Sequence, residues 1–250
     1  MKVALITGGS RGVGKSAALN VAKRGVGVIL TYKSHPDEAE AVVSEIKKGG
    51  GKAVALKLDV AKVSSFEEFA AQVSQTLANE WKQKTFDYLV NNAGIAQRTL
   101  IKDTTEEQFD QLTNVHFKGP FFLTQKLIPL MADGGLVLNI SSGLTHFTNP
   151  AGVATYASLK GAMEIFTKYI VREYASRIIR ANIVAPGALD TQFAGPNGRD
   201  ENQKKMIGEH IALGRCGKAE DIGPLIAALL SDDCRWVNGQ RIEATGGVLI

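Results

Sequence analysis

Residues 3–14 read VALITGGSRGVG, an apolar run that stops at a glycine-rich turn. A short, continuous apolar run predicts a strand buried on both faces, and the segment from Lys15 to Arg24 predicts the helix that follows. Such a turn lets the backbone approach a pyrophosphate, and the helix N-terminus adds unpaired N–H groups and partial positive charge. The GxxxGxG spacing can also be purely structural, but its position between a first strand and a first helix favours a dinucleotide site.

Short apolar runs and longer amphipathic segments alternate along the rest of the chain. The predicted strands cover residues 3–7, 27–32, 53–60, 86–90, 135–141, 178–185 and 240–244. One predicted helix is long, from Thr104 to Met131, and begins where Thr104 and Glu107 fit the capping-box spacing. The alternation implies parallel strands joined by right-handed crossovers, with helices on both sheet faces. No repeat or low-complexity linker divides residues 1–250, so we expect a single doubly wound α/β domain.

Composition limits the classes of partner. Of the 250 residues, 44% are hydrophobic and 22% charged, with a formal net charge of +4, which is typical of an ordinary globular protein. The basic residues are scattered, which argues against nucleic acid and leaves anionic small molecules open. Cys216 and Cys234 form no CxxC or metal-spaced cluster, so we expect no metal site and a reduced, cytoplasmic protein. No signal-peptide pattern or apolar stretch of about 20 residues suggests a membrane partner.

The end of the second predicted strand indicates which dinucleotide would bind. An NAD site usually places an acidic residue there, about 20 residues after the glycine turn, to bind the ribose 2′-hydroxyl. This chain has Tyr32-Lys33-Ser34 instead. Lys33 and Arg11 would attract a 2′-phosphate, and Ser34 could donate a hydrogen bond to it. Either cation could be a solvated surface charge, but two of them at one expected site, with the acid missing, favour NADP(H).

A tyrosine and a lysine mark the candidate chemical centre. Tyr156 and Lys160 lie four residues apart on a predicted helix, so they share one face. An ammonium near a phenol stabilises the phenolate and lowers the phenol pKa. This spacing also arises by chance on exposed helices. However, the fifth predicted strand ends at Ser141-Ser142, at the edge where ligands bind in open α/β sheets, and a serine hydroxyl there could bind a substrate carbonyl.

Together these motifs resemble those of the classical short-chain dehydrogenases/reductases. The matching elements, in order, are Thr7-Gly-x-x-x-Gly12-x-Gly14, Asn91-Asn-Ala-Gly94, Asn114, Ser142, Tyr156-x-x-x-Lys160 and Pro186-Gly187. The resemblance covers essentially the whole chain. It implies a Rossmann-type sheet of seven parallel strands in the order 3-2-1-4-5-6-7, and commonly a homotetramer, with a dimer as the alternative.

The resemblance also implies a role for each catalytic candidate. Tyr156 would be the general acid in carbonyl reduction, and Ser142 would orient the carbonyl. Lys160 would lower the pKa of Tyr156 and hold the nicotinamide ribose. Asn114 would position a water that links Lys160 to a proton relay. In the Ser-Ser pairs of the family the second serine usually faces the substrate, which favours Ser142 over Ser141.

By the same resemblance, cofactor contacts extend beyond the glycine turn. Asn91 and Gly94 look like the segment lining the adenosine side, Asp59 with Val60 matches the position that meets the adenine amino group, and residues 183–191 match the segment against the nicotinamide. The complete expected set is Gly8, Ser10, Arg11, Gly12, Val13, Gly14, Tyr32, Lys33, Ser34, Asp59, Val60, Asn91, Ala93, Gly94, Tyr156, Lys160, Pro186, Gly187 and Thr191.

The expected activity is NADPH-dependent reduction of a ketone or aldehyde, closest in resemblance to the 3-oxoacyl-carrier-protein reductase and carbonyl reductase branches. A sugar or polyol dehydrogenase is the alternative within the family. A non-catalytic NADP(H)-binding sensor would be expected to lose Tyr156 or Lys160, and a methyltransferase-like domain would not carry that pair.

Three other segments have weaker interpretations. The polar segment at about 188–212 resembles a substrate lid, although it could be a plain surface loop. His116 is interpreted as a packing or interface residue. The apolar tail, residues 248–250, is a candidate for burial between subunits.

Overall fold

Seven parallel strands form one sheet, in the order β3-β2-β1-β4-β5-β6-β7. The computed structural model describes residues 1–148, 151–195 and 198–248. The strands are β1 (Val3–Ile6), β2 (Gly27–Tyr32), β3 (Ala53–Lys57), β4 (Phe86–Asn91), β5 (Met131–Ile140), β6 (Arg180–Pro186) and β7 (Arg241–Ala244). The expected sheet and its strand order are confirmed.

Helices cover both faces of this sheet. They are α1 (Gly12–Lys23), α2 (Pro36–Lys48), α3 (Phe66–Thr76), α4 (Glu106–Thr113), α5 (Gly119–Leu127), α6 (Ala154–Glu173), α7 (Glu201–Gly208) and α8 (Ala219–Leu229). Helices α1, α2 and α8 contribute to one apolar core, and α3, α5 and α6 to the other.

The first strand shows why a continuous apolar run marks a central parallel strand. Successive side chains of a strand point to opposite faces. Ala4 and Ile6 pack in the core with α1, α2 and α8, whereas Val3 and Leu5 pack in the core with α3, α5 and α6. All four side chains are fully buried. Burial of a valine, leucine or isoleucine contributes about 1.5–3 kcal/mol, so neither face of β1 could be polar.

The start of α4 differs from the predicted start by one residue. The Gln108 N–H donates to Thr105 Oγ1 at 3.2 Å, and the Thr105 N–H donates to Gln108 Oε1 at 3.1 Å. The hydroxyl of Thr104 instead donates to the Leu100 carbonyl at 2.9 Å. Because that hydroxyl is engaged with the preceding turn, the capping box predicted for Thr104 and Glu107 is wrong.

The long helix predicted for residues 104–131 is interrupted. A π-helical turn at Asn114–Lys118 separates α4 from α5, and across it the Gly119 N–H donates to the Asn114 carbonyl. A Cβ at residue 119 would lie 1.9 Å from the Val60 carbonyl oxygen. Only glycine therefore lets this helix pack so closely against the segment after β3. The prediction also ended the helix too late, because Met131 already begins β5.

The segment at 188–212, of which residues 192–205 read as polar and irregular in the sequence, is partly helical. It contains a 3₁₀ turn at Gln192–Ala194 and all of α7. The Gln203 N–H donates to Asp200 Oδ1 at 2.8 Å, and the Gln203 side chain bonds back to the Asp200 N–H. This capping box is a helix-start signal visible in the sequence, and the expectation of an irregular segment overlooked it.

Two expectations fall partly outside the described residues. Pro196 and Asn197 belong to the expected lid, and Leu249 and Ile250 to the expected interface tail. Within the described ranges, no helix combines the length and apolar character needed to cross a membrane. No group of three or more His, Cys, Asp or Glu side chains in those ranges could hold a metal ion.

Candidate active site

The glycine turn between β1 and α1 is shaped to approach a ligand. The Gly9 N–H donates to the Thr31 carbonyl at 2.8 Å, which ties the turn to β2. A Cβ at Gly14 would lie 2.1 Å from the Gly8 carbonyl oxygen, so that position requires glycine. Helix α1 begins at Gly12 with no side-chain cap and no acidic residue in its first turn. Its N–H groups can therefore bind an anionic pyrophosphate, which is the fit a dinucleotide needs.

Asn92, the second asparagine of the Asn-Asn-Ala-Gly motif, supports this turn. The Asn92 side-chain amide donates to the Thr7 carbonyl at 2.8 Å and to the Gly8 carbonyl at 3.2 Å. The buried Asn91 amide instead donates to Asn139 Oδ1 at 2.8 Å, inside the core. The Asn91 side chain therefore points into the core, and the expectation that the segment of Asn91 and Gly94 lines the adenosine side of a cofactor stays a prediction. The same Asn-Asn-Ala-Gly motif could have indicated Asn92.

Lys33 and Asp59, expected to meet different parts of a cofactor, form an ion pair. The distance from Lys33 Nζ to Asp59 Oδ2 is 2.9 Å. Burial acts to raise the pKa of Asp59, but the Lys33 ammonium and the Ala61 N–H hold it below its ordinary value. Arg11 is exposed at the start of α1 and forms no ion pair within the described part of the chain. Sequence spacing did not predict this contact.

Other expected cofactor residues follow the carboxyl ends of the strands. The Gly187 N–H donates to the Ala244 carbonyl at 3.1 Å, immediately after Pro186 at the end of β6. A Cβ at Gly12 would lie 3.9 Å from Thr191 Cβ, which brings this segment to the glycine turn. The remaining expected residues lie at the carboxyl ends of strands β1 to β4, in the loops that follow those strands, or in the first turn of α1. They are Ser10, Val13, Tyr32, Ser34, Val60, Ala93 and Gly94.

Ser142, Tyr156 and Lys160 lie together at the carboxyl end of β5. The Ser142 side chain lies near enough to the Tyr156 phenol to lower the pKa of that phenol. The Lys160 ammonium donates to the Ile140 carbonyl at 2.7 Å and lies 5.7 Å from the Tyr156 ring centroid. The Ser141 hydroxyl does not face Tyr156, because it donates to the Glu164 carboxylate, further along α6, at 2.7 Å. Ser142 is therefore the serine that meets the tyrosine.

Burial shifts the pKa values of both Tyr156 and Lys160. Burial raises the pKa of Tyr156 to about 12, and the Ser142 side chain offsets only part of that rise. Burial also lowers the pKa of Lys160 to about 8. The expected lowering of the Tyr156 pKa by Lys160 stays a prediction, and burial dominates the pKa of the phenol. Tyr156 is accordingly protonated at neutral pH, the form that can donate a proton.

Two aromatic rings flank the tyrosine. The His116 ring meets the Tyr156 ring edge-on with centroids 5.0 Å apart, and His116 Nε2 lies 2.8 Å from the Ile95 carbonyl oxygen. Burial and the Lys160 charge lower the pKa of His116 to about 3, so the imidazole is neutral. Phe193 approaches from the segment after β6, with its ring centroid 6.0 Å from that of Tyr156. Neither ring contact with Tyr156 was predicted from the sequence.

Asn114 lies half-buried where the π-helical turn begins. In the part of the chain that the structure describes, no direct hydrogen bond joins its side chain to Lys160. The expected connection between them runs through a water and stays a prediction.

The chain resembles known proteins over nearly its full length. A family model described as Enoyl-(Acyl carrier protein) reductase matches residues 8–249. The chain is 36% identical over 249 residues to the 3-oxoacyl-(acyl-carrier-protein) reductase FabG of Staphylococcus epidermidis, an alignment that covers 99% of this chain and 98% of that protein.

Solved structures with similar folds include two that contain NADP. The angucycline C-6 ketoreductase LanV with bound NADP superposes with a TM-score of 0.93 at 33% identity, covering 99% of this chain and 95% of LanV. A short chain dehydrogenase from Burkholderia cenocepacia in complex with NADP gives a TM-score of 0.90 at 31% identity, covering 98% of this chain and 97% of that one.

Proposed function

Because this chain belongs to the short-chain dehydrogenase/reductase family of oxidoreductases, we propose that it reduces a ketone or aldehyde to an alcohol with NADPH. The observation that carries the proposal is the position of Ser142 and Tyr156 at the carboxyl end of β5, beside the buried Lys160 ammonium, which lies 5.7 Å from the Tyr156 ring centroid. Two hydroxyl groups at one point of the sheet edge can both donate to a single carbonyl oxygen. A non-catalytic NADP(H) sensor would not need that arrangement.

In the proposed reaction, side chains of the protein orient the carbonyl and donate the proton, whereas the cofactor supplies the hydride. When bound, the reduced nicotinamide supplies the hydride that adds to the carbonyl carbon. Ser142 Oγ donates a hydrogen bond to the carbonyl oxygen and orients it. Tyr156 Oη donates its proton to that oxygen as negative charge develops. Lys160 provides positive charge near the phenolate that remains. One hydride and one proton thus convert C=O to CH–OH.

Four observations support NADP(H) as the cofactor. The end of β2 carries Lys33 and Ser34 in place of an acidic residue. Arg11 is exposed beside the uncapped N-terminus of α1. LanV and the Burkholderia cenocepacia dehydrogenase were each solved with NADP. In this proposal, Lys33 exchanges its contact with Asp59 for the 2′-phosphate.

We expect the double substitution Arg11→Ala, Lys33→Ala to weaken NADPH binding at least about tenfold, because each charge-assisted hydrogen bond contributes about 1.5–3 kcal/mol. NADH binding should change less than twofold, since NADH has no 2′-phosphate. Fluorescence titration with both cofactors measures this. Lys84→Ala, which removes an exposed lysine just before β4, is the control. An equal loss of affinity for NADPH and for NADH would contradict the assignment of Arg11 and Lys33 to the 2′-phosphate.

Turnover with a carbonyl panel tests the proposed reaction. NADPH and NADH oxidation would be followed with ketones, aldehydes, diketones and 3-oxoacyl thioesters, and NADP⁺ reduction with sugars and polyols. One 2-enoyl thioester is included because the matched family description names an enoyl reductase. We expect NADPH-dependent carbonyl reduction. Turnover of the enoyl thioester alone, or tight NADPH binding without any turnover, would refute the proposal.

We also propose that the protein is a homotetramer assembled partly through α5 and α6. Ile165 and Tyr169 of α6 are 54% and 60% exposed. Phe121 of α5 is also partly exposed, and its ring centroid lies 4.8 Å from that of Phe166 on α6. A contiguous apolar face of this kind is typical of a protein interface.

Light scattering after size exclusion should report four 26.8-kDa chains. The double substitution Ile165→Arg, Tyr169→Arg should reduce the mass to that of a dimer or monomer, because it buries charge at the interface. Ile178→Arg, at an even more exposed isoleucine beyond the end of α6, should leave the mass unchanged. A monomeric unsubstituted protein would refute the tetramer.

Two further predictions from the sequence concern a substrate lid and the location of the protein. Residues 188–212 act as a substrate lid within one domain spanning 1–250, supported by the contact of Phe193 with Tyr156. The cytoplasmic location stays a prediction.

A further inference from the structure

A half-buried ion pair joins α6 to β7 close to Ser142. Arg241 Nε donates to Glu164 Oε1 at 2.8 Å, and the Glu164 and Arg241 side chains are 16% and 14% exposed. Glu164 follows Lys160 by one helical turn and Tyr156 by two, so the three side chains lie along one face of α6. No expectation from the sequence involved either member of the pair.

Both members contact the turn that carries Ser142. The hydroxyls of Ser141 and Thr145 each lie 2.7 Å from Glu164 Oε1, placed to donate to it. Arg241 Nη2 donates to the Ser142 carbonyl oxygen at 3.3 Å and to Thr145 Oγ1 at 3.0 Å. Side chains from α6 and β7 therefore hold the backbone on both sides of Ser142.

The Ser142 hydroxyl itself is held more weakly. It accepts a hydrogen bond from the Leu144 N–H at 3.3 Å, and it lies near enough to Tyr156 to lower the pKa of that phenol. Both contacts depend on the backbone of residues 141–145 keeping its place relative to α6. A misplacement of about 1 Å at a reacting centre can reduce the rate about 100-fold.

We propose that Glu164 and Arg241 are positioning residues, whose ion pair locks residues 141–145 to α6 and keeps the Ser142 hydroxyl on Tyr156. The inference rests on the proposed carbonyl reduction, in which these two hydroxyls meet one oxygen. Burial acts to raise the pKa of Glu164, but its three hydrogen-bond donors hold it below the ordinary value. The carboxylate is therefore ionised at neutral pH and accepts all three bonds.

A double-mutant cycle tests whether Glu164 acts through Ser142. We expect Glu164→Gln to lower kcat about tenfold or more, with the substrate KM and the NADPH Kd within about twofold, and to lower kcat less than about twofold in a Ser142→Ala background. Equal losses in both backgrounds would overturn the proposal. Thr145→Val, which removes only the hydroxyl contact, should give a smaller loss in the same direction, and Thr145→Ser should retain activity.

Hydrogen exchange provides a readout that does not need turnover. The Leu144 and Thr145 amides donate to Ser142, so we expect their exchange to accelerate at least about tenfold in Glu164→Gln. Asp133→Asn breaks a more exposed arginine pair, Arg177 with Asp133, at the other end of β5, and should change neither this exchange nor kcat. Unchanged exchange in Glu164→Gln would overturn the positioning role. Accelerated exchange without any carbonyl turnover would support positioning and count against the proposed reaction alone.

Discussion

Tyr156→Phe should lower kcat for carbonyl reduction by about 10²–10⁴-fold, the usual contribution of a positioned general acid. Burial keeps the pKa of Tyr156 at about 12, so the hydroxyl carries its proton at neutral pH and is ready to donate it. Phenylalanine keeps the ring and its edge-on contact with His116 but removes that proton. Single-turnover NADPH oxidation, with NADPH binding measured separately, should show a loss in chemistry with binding retained.

The matched control is Tyr169→Phe, because this tyrosine lies on the same helix more than three turns beyond Tyr156 and phenylalanine keeps an apolar ring at the proposed interface. It should leave kcat unchanged. The reverse reaction needs the phenolate, whose population grows with pH below a pKa of about 12. Below pH 8, where Lys160 keeps its charge, alcohol oxidation should therefore accelerate with rising pH while reduction stays nearly level. A Tyr156→Phe variant with more than a tenth of the original kcat would refute the general-acid role.

Lys160→Met should lower kcat at least about 100-fold and at the same time stabilise the protein at pH 7. Burial lowers the Lys160 pKa from 10.5 to about 8, which corresponds to a cost of about 3 kcal/mol for holding the charge. Methionine avoids that cost but leaves the Ile140 carbonyl without its hydrogen bond, at about 1–3 kcal/mol. We expect the free energy of unfolding to rise by about 1 kcal/mol.

The pH dependence separates this effect from a general change in packing. Below pH 8 the lysine is charged in both the folded and unfolded chains, so the advantage of methionine is complete. Between pH 8 and 10.5 the folded lysine loses its proton before the unfolded one does, so the advantage declines with pH and is lost above that range. Urea unfolding of both proteins at pH 7 and pH 10 measures it. A variant less stable than the original at pH 7 would contradict the cost assigned to the buried charge.

Local periodicity carried most of the fold prediction. The apolar run of β1, the glycine turn and α1 each occupy one short stretch of the chain, so short-range sequence predicts them, although α1 begins at Gly12 rather than at Lys15. The prediction lost accuracy at helix starts, where Thr104 and Thr105 compete for one cap and only the preceding turn decides which hydroxyl is available.

The sequence by itself determined the seven-stranded parallel architecture, the glycine turn and the neighbouring positions of Ser142, Tyr156 and Lys160, because strand-end and helix spacing place those groups at one sheet edge. Tertiary structure alone decided the direction of each side chain and its partner. Adjacent residues at a strand end point to opposite sides, so Asn91 enters the core while Asn92 supports the glycine turn. Contacts between distant segments, such as that of Glu164 with Arg241, form only when strands and helices pack, and no spacing along the chain encodes them.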